Sequence, residues 1–264
     1  MTSNNKAVSE GWTAILLAGQ RPGPDALARA FGTHYKALIE VGAMPMVTRV
    51  AQTLLASPLI ARIVVLCQAP EVIRAAVGDD PRISYAQSDD GISASIAQIA
   101  GSAIAPWPLF VTTADHPLLT TQMIDLFLAQ SQNCDVSVGM VERGVILSAY
   151  PDNKRTWIKL RGGAWSGANL FSLSNAKTAA ALSLWTRAEK DRKQLFKLFL
   201  NFGALIALRA VTRTISLEQG IAALGKRLGL DARAVPLPFA EAAIDVDKLS
   251  DHILVEAILA RRAL

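Results

Sequence analysis

Five short apolar runs, Thr13–Leu17, Arg62–Cys67, Ile83–Ala86, Pro108–Thr113 and Val136–Val141, alternate with stretches of helical periodicity along the first half of the chain. Runs this short, rich in Val, Ile and Leu and closed by glycine or polar residues, read as strands buried on both faces. Strands that alternate with helices need crossover connections, which favour a parallel sheet with helices packed on it. In such sheets ligands bind beyond the carboxyl ends of the strands, so the loops at those ends are where chemistry is expected.

The helices expected between these runs cover Ala26–Phe31, Pro45 to about Ser57, Glu71–Ala76, Ser93–Ile104, Thr121–Ser131 and Leu249–Arg262. Pro45 suits a helix start, and Met46, Val47, Val50, Leu54 and Leu55 form the inner stripe behind it. The segment 161–171 reads as a Gly-rich hairpin, residues 173–228 as mostly helical, and Ala234–Val235 as a last strand. The expected architecture is α/β, three-layer and Rossmann-like. It has a mostly parallel sheet, helices on both faces and a helical insertion at 173–228 in the C-terminal half. No internal repeat or low-complexity linker divides the chain, so residues 1–264 are expected to form a single domain behind a disordered polar tail at 1–11.

With 51% hydrophobic and 19% charged residues, the 264-residue chain is not a disordered one. Its net charge of +5 fits an anionic ligand, but no block of basic residues interleaves with aromatics, which argues against nucleic acid. Cys67 and Cys134 lie outside any metal-ligand spacing, and two isolated thiols fit a reducing cytoplasm. The first eleven residues lack the apolar core of a signal peptide. Leu195–Val211 is apolar but interrupted by Lys197, Asn201 and Arg209, so it falls short of the ~20 apolar residues of a membrane span. It reads as a packed helix, with an interfacial helix and peripheral membrane contact as the alternative.

Four places carry candidate chemistry. Leu17-Ala18-Gly19-Gln20-Arg21 takes a strand into a glycine and then a cation, and a glycine there lets backbone N–H groups approach a phosphate. Gly91-Ile92-Ser93-Ala94-Ser95 opens a helix with hydroxyls able to cap it or to bond a base edge. Asp115 falls at the carboxyl end of a strand, beside the same rim as Gly19. Asp245 and Asp247, two residues apart, share one face of an extended chain.

In that order, Leu17-Ala18-Gly19, Lys36 in a Lys-Ala-Leu context, Asp115-His116-Pro117 and Asp245-Val246-Asp247 resemble the motifs of nucleotidyltransferases of the molybdenum cofactor guanylyltransferase type. That superfamily also contains sugar-phosphate and polyol-phosphate cytidylyltransferases, and the resemblance covers nearly the whole chain. It implies a triphosphate loop at Leu17, Ala18, Gly19 and Gln20, with Lys36 on the phosphates and Arg21, or else Arg29, as the loop arginine. It implies base contact by Gly91, Ser93 and Ser95, and Mg²⁺ held by Asp115 with Asp247 or Asp245. Lys159, Arg161, Gly163, Ser166 and Asn169 fall on the acceptor side. Two departures stand out: the stretch Gln20–Thr33 is longer than the family's compact loop, and Lys248-Leu249-Ser250-Asp251 replaces a Thr-Pro-Glu-Asp continuation.

The implied function is Mg²⁺-dependent transfer of a nucleotidyl group from a nucleoside triphosphate, CTP or GTP favoured, to a phosphorylated small-molecule acceptor, releasing pyrophosphate. Arg and Lys at such a site neutralise charge that spreads over the phosphate oxygens and the leaving group. Two alternatives follow from the departures and from the apolar segment: an inactive nucleotide-binding or regulatory protein of the same fold, and a membrane-surface adaptor.

Overall fold

A computed structural model of the chain describes residues 11–20, 23–88, 91–190 and 204–262. Its main sheet runs in the order β10-β7-β9-β6-β1-β4-β5. The strands are β1 (Trp12–Leu17), β4 (Ile60–Cys67), β5 (Ile83–Gln87), β6 (Leu109–Thr113), β7 (Val136–Glu142), β9 (Gly163–Leu173) and β10 (Ala232–Pro236), with β8 (Ile158–Leu160) paired on β9. A separate two-stranded ribbon joins β2 (Glu40–Val41) to β3 (Met44–Pro45). β1 pairs in parallel with β4 and β6, β4 with β5, and β10 with β7. Within the main sheet the antiparallel pairings are those of β9 with β6, β7 and β8. The chain moves outward from β1 to β4 and β5, then returns to β6 on the opposite side of β1. A topological switch therefore lies between β1 and β6, the position where open α/β sheets bind ligands.

Side-chain alternation along the buried strands makes three layers. Ala14 and Leu16 of β1 point to one face, where α2 (Met46–Ala56), α3 (Pro70–Val77), α5 (Thr121–Gln130) and α6 (Arg143–Ala149) supply Val50, Leu54, Ile73, Phe127 and Ile146. Phe110 of β6 and Phe127 of α5 meet there with ring centroids 5.8 Å apart. Ile15 and Leu17 point to the other face, against Ile96 of α4 (Ile92–Ile99) and Leu182 and Trp185 of α7 (Ala179–Lys190). α8 (Ala204–Val211) follows, and then α9 (Leu217–Arg227) sets Leu217 and Ile221 on Met140 and Ala234. A third cluster joins α1 (Ala26–Ala30), the β2–β3 ribbon and α10 (Leu249–Arg262) through Leu27, Val41, Val246, Val255 and Ile258. Each such side chain contributes roughly 1.5–3 kcal/mol on burial.

The mostly parallel, helix-covered α/β sheet expected from the alternation is the observed one. The differences are local. Gly101, at φ +79°, turns the chain soon after α4, so that helix stops at Ile99 rather than Ile104. Residues 143–149 form α6, whose N-terminus is capped by Glu142 accepting from the Gly144 N–H. The Gly-rich segment does form a hairpin, β8 turning at Arg161–Gly162 onto β9, but β9 then runs on for 11 residues and enters the main sheet between β6 and β7. Its glycines and polar residues hide a core-facing set: Ala168, Leu170 and Leu173 are fully buried. The helical insertion expected at 173–228 holds α7, α8 and α9 among the described residues.

Candidate active site

Two elements at the switch point meet through one ammonium. Asp115 lies just past β6 and Lys36 opens a single 3₁₀ turn, Lys36–Leu38. Lys36 Nζ donates to Asp115 Oδ2 at 2.7 Å and to Asp247 Oδ1 at 2.6 Å. The segment carrying Asp245 and Asp247 is fastened beside Asp115, because the Val246 N–H donates to the Asp115 carbonyl at 2.9 Å and the Val246 side chain is fully buried. Burial disfavours the Lys36 ammonium, but Asp115 and Asp247 outweigh it and hold its pKa well above the ordinary lysine value.

Asp245 and Asp247 do not share a partner. Asp247 faces Lys36, whereas Asp245 Oδ1 accepts from Arg155 Nη2 at 2.9 Å and its Oδ2 from Asn169 Nδ2 at 3.3 Å. Arg155 Nε also donates to Ser166 Oγ at 3.1 Å. Asn169 reaches Asp245 because β9 bulges against β7 between Val138 and Met140, with Asn169 at φ +52°. Burial raises the Asp245 pKa above the usual carboxylate range; Arg155 works against that shift, and the charges of Asp115 and Asp247 add to it. β6 pairs with β9 only from Leu109–Leu173 to Val111–Phe171, and beyond Val111 the Asp245–Val246 segment lies between them, bonded to Asp115 through the Val246 N–H and to Asn169 through Asp245.

The loop after β1 lies on the other side of Lys36. Leu17 and Ala18 are buried and tied into the sheet: the Ala114 N–H donates to Leu17 O, and the Ala18 N–H to Leu66 O. Gln20 Oε1 accepts from the Lys36 N–H at 3.2 Å, so the loop is bonded to the segment that presents the ammonium. Arg21, expected as the loop arginine, lies outside the described residues. Arg29, its alternative, is an exposed residue in the last turn of α1.

The base-side serines have turned inward. Gly91 takes the N-cap position of α4, so neither serine caps the helix. Ser93 is fully buried with its Oγ 2.9 Å from Thr186 Oγ1 of α7. Ser95 donates to Gly91 O at 2.8 Å and sits 3.1 Å from Ser88 Oγ. Both hydroxyls are thus engaged within the protein around the start of α4.

Of the residues expected on the acceptor side, Asn169 bonds Asp245 directly and Ser166 joins the same network through Arg155. Gly163 begins β9, Lys159 is exposed on β8, and Arg161 is drawn away to Gln219 Oε1 of α9 at 3.1 Å. Arg155 is the site cation that sequence reasoning passed over. It lies in an irregular polar stretch, and its partner is ninety residues further on.

Two neighbouring carboxylates and one ammonium beside a glycine loop at a switch point give an α/β scaffold the charges that phosphate esters call for. The chain belongs to the MobA-like NTP transferase family, whose model matches residues 14–197. It is accordingly a nucleotidyltransferase. Among solved structures it is similar to a hypothetical transferase from Thermus thermophilus, with 27% identity, a TM-score of 0.75, and 92% of this chain and 99% of that one covered. It shares its fold with a 4-diphosphocytidyl-2C-methyl-D-erythritol synthase from Anaerococcus prevotii, with 10% identity, a TM-score of 0.57, and 96% and 99% of the two chains covered. A CMP:2-keto-3-deoxy-manno-octonic acid synthetase complexed with CTP is alike to the same degree, with 14% identity, a TM-score of 0.58, and 96% and 100% covered. No curated protein sequence gives a significant match.

Proposed function

We propose that this enzyme, in the cytoplasm, transfers a nucleotidyl group from CTP or GTP to a phosphorylated small molecule and releases pyrophosphate. The observation that carries the reading is the Lys36 ammonium held between Asp115 and Asp247 at the switch point of the sheet. CTP is the first nucleotide to test, since two structures of the same fold are cytidylyl enzymes by their titles and one holds CTP.

An acceptor phosphate oxygen attacks the α-phosphorus in line; the new P–O bond forms as the bond to the α–β bridging oxygen breaks, and pyrophosphate leaves with that electron pair. The acceptor phosphate is ionised at neutral pH, so no side chain has to remove a proton. Lys36 and the loop cation Arg21 screen the triphosphate and the developing charge on the leaving group. Gly91, at the N-terminus of α4, borders the place where the base would bind. Ser166, Asn169 and Arg155 line the opposite wall, where the acceptor binds, and hold it in register with the α-phosphorus.

Mg²⁺ fits this site. Asp115 Oδ1 is buried and has no hydrogen-bond partner, and the Asp247 carboxylate shares a cation with Asp115 already. Mg²⁺ is commonly held by one or two carboxylates together with phosphate oxygens and water. Asp115 and Asp247 would hold it. Asp245, already bonded to Arg155 and Asn169, is the weaker ligand. The bound ion would supply Lewis-acid polarisation of the phosphate.

The test is pyrophosphate release from each of the four triphosphates with Mg²⁺ and a panel of phosphorylated sugars, polyols and pterins. The wild type is expected to turn over CTP or GTP with one acceptor class, and Asp115→Asn to lose about 10²-fold or more in kcat/KM. Full turnover in Asp115→Asn would remove the metal assignment. Nucleotide binding without release for any acceptor would favour a regulatory protein instead.

A further inference from the structure

We infer that Gln68 and Gln20 form a two-step latch that sets the position of Lys36. Gln68 follows the last residue of β4, and its carboxamide bonds the Gln20 peptide in both directions: the Gln20 N–H donates to Gln68 Oε1 at 3.0 Å, and Gln68 Nε2 donates to the Gln20 carbonyl at 3.1 Å. The Gln20 side chain repeats the pattern one step on. Its Oε1 accepts from the Lys36 N–H at 3.2 Å, and its Nε2 donates to the His34 carbonyl at 3.0 Å. Two paired bonds fix the orientation of a planar amide where one would leave it free to swing.

Gly19 is part of the device. A Cβ on it would lie 3.0 Å from Gln68 Nε2 and 3.1 Å from Oε1, so a side chain there would crowd the carboxamide and ask it to shift against the Gln20 peptide. The path therefore runs from the end of β4, through Gln68 and Gln20, to the segment whose side chain bridges Asp115 and Asp247. With both its N–H and its carbonyl taken by Gln68, Gln20 acts on the triphosphate through Lys36 and not as a phosphate ligand. Both glutamines are positioning residues. In its catalytic consequence the inference rests on the nucleotidyltransferase reading above; the latch itself is a property of the chain without ligand.

Gln68 is exposed, so its replacement leaves the core untouched. The experiment compares wild type, Gln68→Ala, Gln68→Glu, Gln20→Ala and the Gln68→Ala/Gln20→Ala double variant. Amide hydrogen exchange in the ligand-free protein is the first readout. Loss of Gln68 is expected to speed exchange at the Lys36 N–H about tenfold although Gln68 does not touch it, with Gln68→Glu intermediate because it keeps the acceptor and loses the donor. Kinetics are the second. Gln68→Ala should raise KM for the triphosphate about fivefold to tenfold and leave KM for the acceptor unchanged, and the double variant should be no worse than Gln20→Ala alone. Unchanged exchange at Lys36 in Gln68→Ala, or additive losses in the double variant, would overturn the latch. Wild-type protein that binds no triphosphate would overturn the nucleotidyltransferase reading, while the exchange data still decide the latch.

Discussion

Lys36, Asp115 and Asp247 stand 79 and 132 residues apart in sequence yet meet at one ammonium. Asp115 was legible from the apolar run that places it at a strand's carboxyl end, whereas Lys36 and Asp247 stood out only through their resemblance to the family's motifs. Arg155 was not legible, since nothing in the irregular stretch before Trp157 says that it folds back on Asp245. The serines at 93 and 95 illustrate a different limit: a hydroxyl at a helix start reads alike whether it faces a ligand or, as here, a neighbouring helix. Cys67, at the end of β4, is fully buried, and burial pushes its thiol up to about 11 from an ordinary 9.0. The folded state thus keeps a proton that the unfolded chain gives up. Stability is fully present below pH 9 and declines as pH rises from 9 towards 11, because the native state binds more protons there. One pKa unit corresponds to about 1.4 kcal/mol, so the two-unit rise at Cys67 alone should steepen that loss by on the order of 3 kcal/mol. Urea unfolding at pH 8, 9, 10 and 11 should show a flatter decline in Cys67→Ala than in wild type; parallel curves would refute the assignment.

Among the elements, helices with a clear apolar stripe and a terminal signal, such as α2 behind Pro45, were readable to within a residue or two. β9 was not, because a strand that is antiparallel within a parallel sheet carries neither a continuous apolar run nor strict alternation. Its sequence answers to three demands at once: a core-facing set, a bulge at Asn169 and a polar edge at the site. α9 shows how a single position fixes an element. Gly225 faces β10, and a Cβ there would meet Ala232 Cβ at 2.5 Å and Leu230 O at 2.8 Å. Helix propensity alone would make Gly225→Ala stabilising by up to ~1 kcal/mol. Overpacking costs typically ~1–3 kcal/mol, so the close contact should win and the variant should be less stable. Chemical denaturation measures this directly, and Gly220, with open space around it, is the control at which Ala should be neutral or stabilising.

At the scale of the whole molecule, no helix among the described residues is long and apolar enough to cross a membrane. Of the segment weighed as an interfacial helix, residues 204–211 form α8, which exposes Leu208 and Val211; the rest lies outside the described residues. A triphosphate that binds the folded chain alone should stabilise it by about 2.7 kcal/mol at a hundredfold excess over Kd. For a chain of this size that is a rise in Tm of roughly 5–10 °C. A thermal scan with CTP, GTP, ATP and UTP in Mg²⁺ then ranks the bases without knowledge of the acceptor, and identical scans for all four would show that the base is not read. The brief pairing of β6 with β9 carries one more consequence. The half-sheet bearing the loop after β1 and the half-sheet bearing Asn169 are sewn together over three residue pairs, at the end of the strands away from Asp115. At the other end the two halves are joined instead by residues 245–247, which bond Asp115 on one side and Asn169 on the other, so whatever loosens that short segment is felt on both sides of the sheet at once.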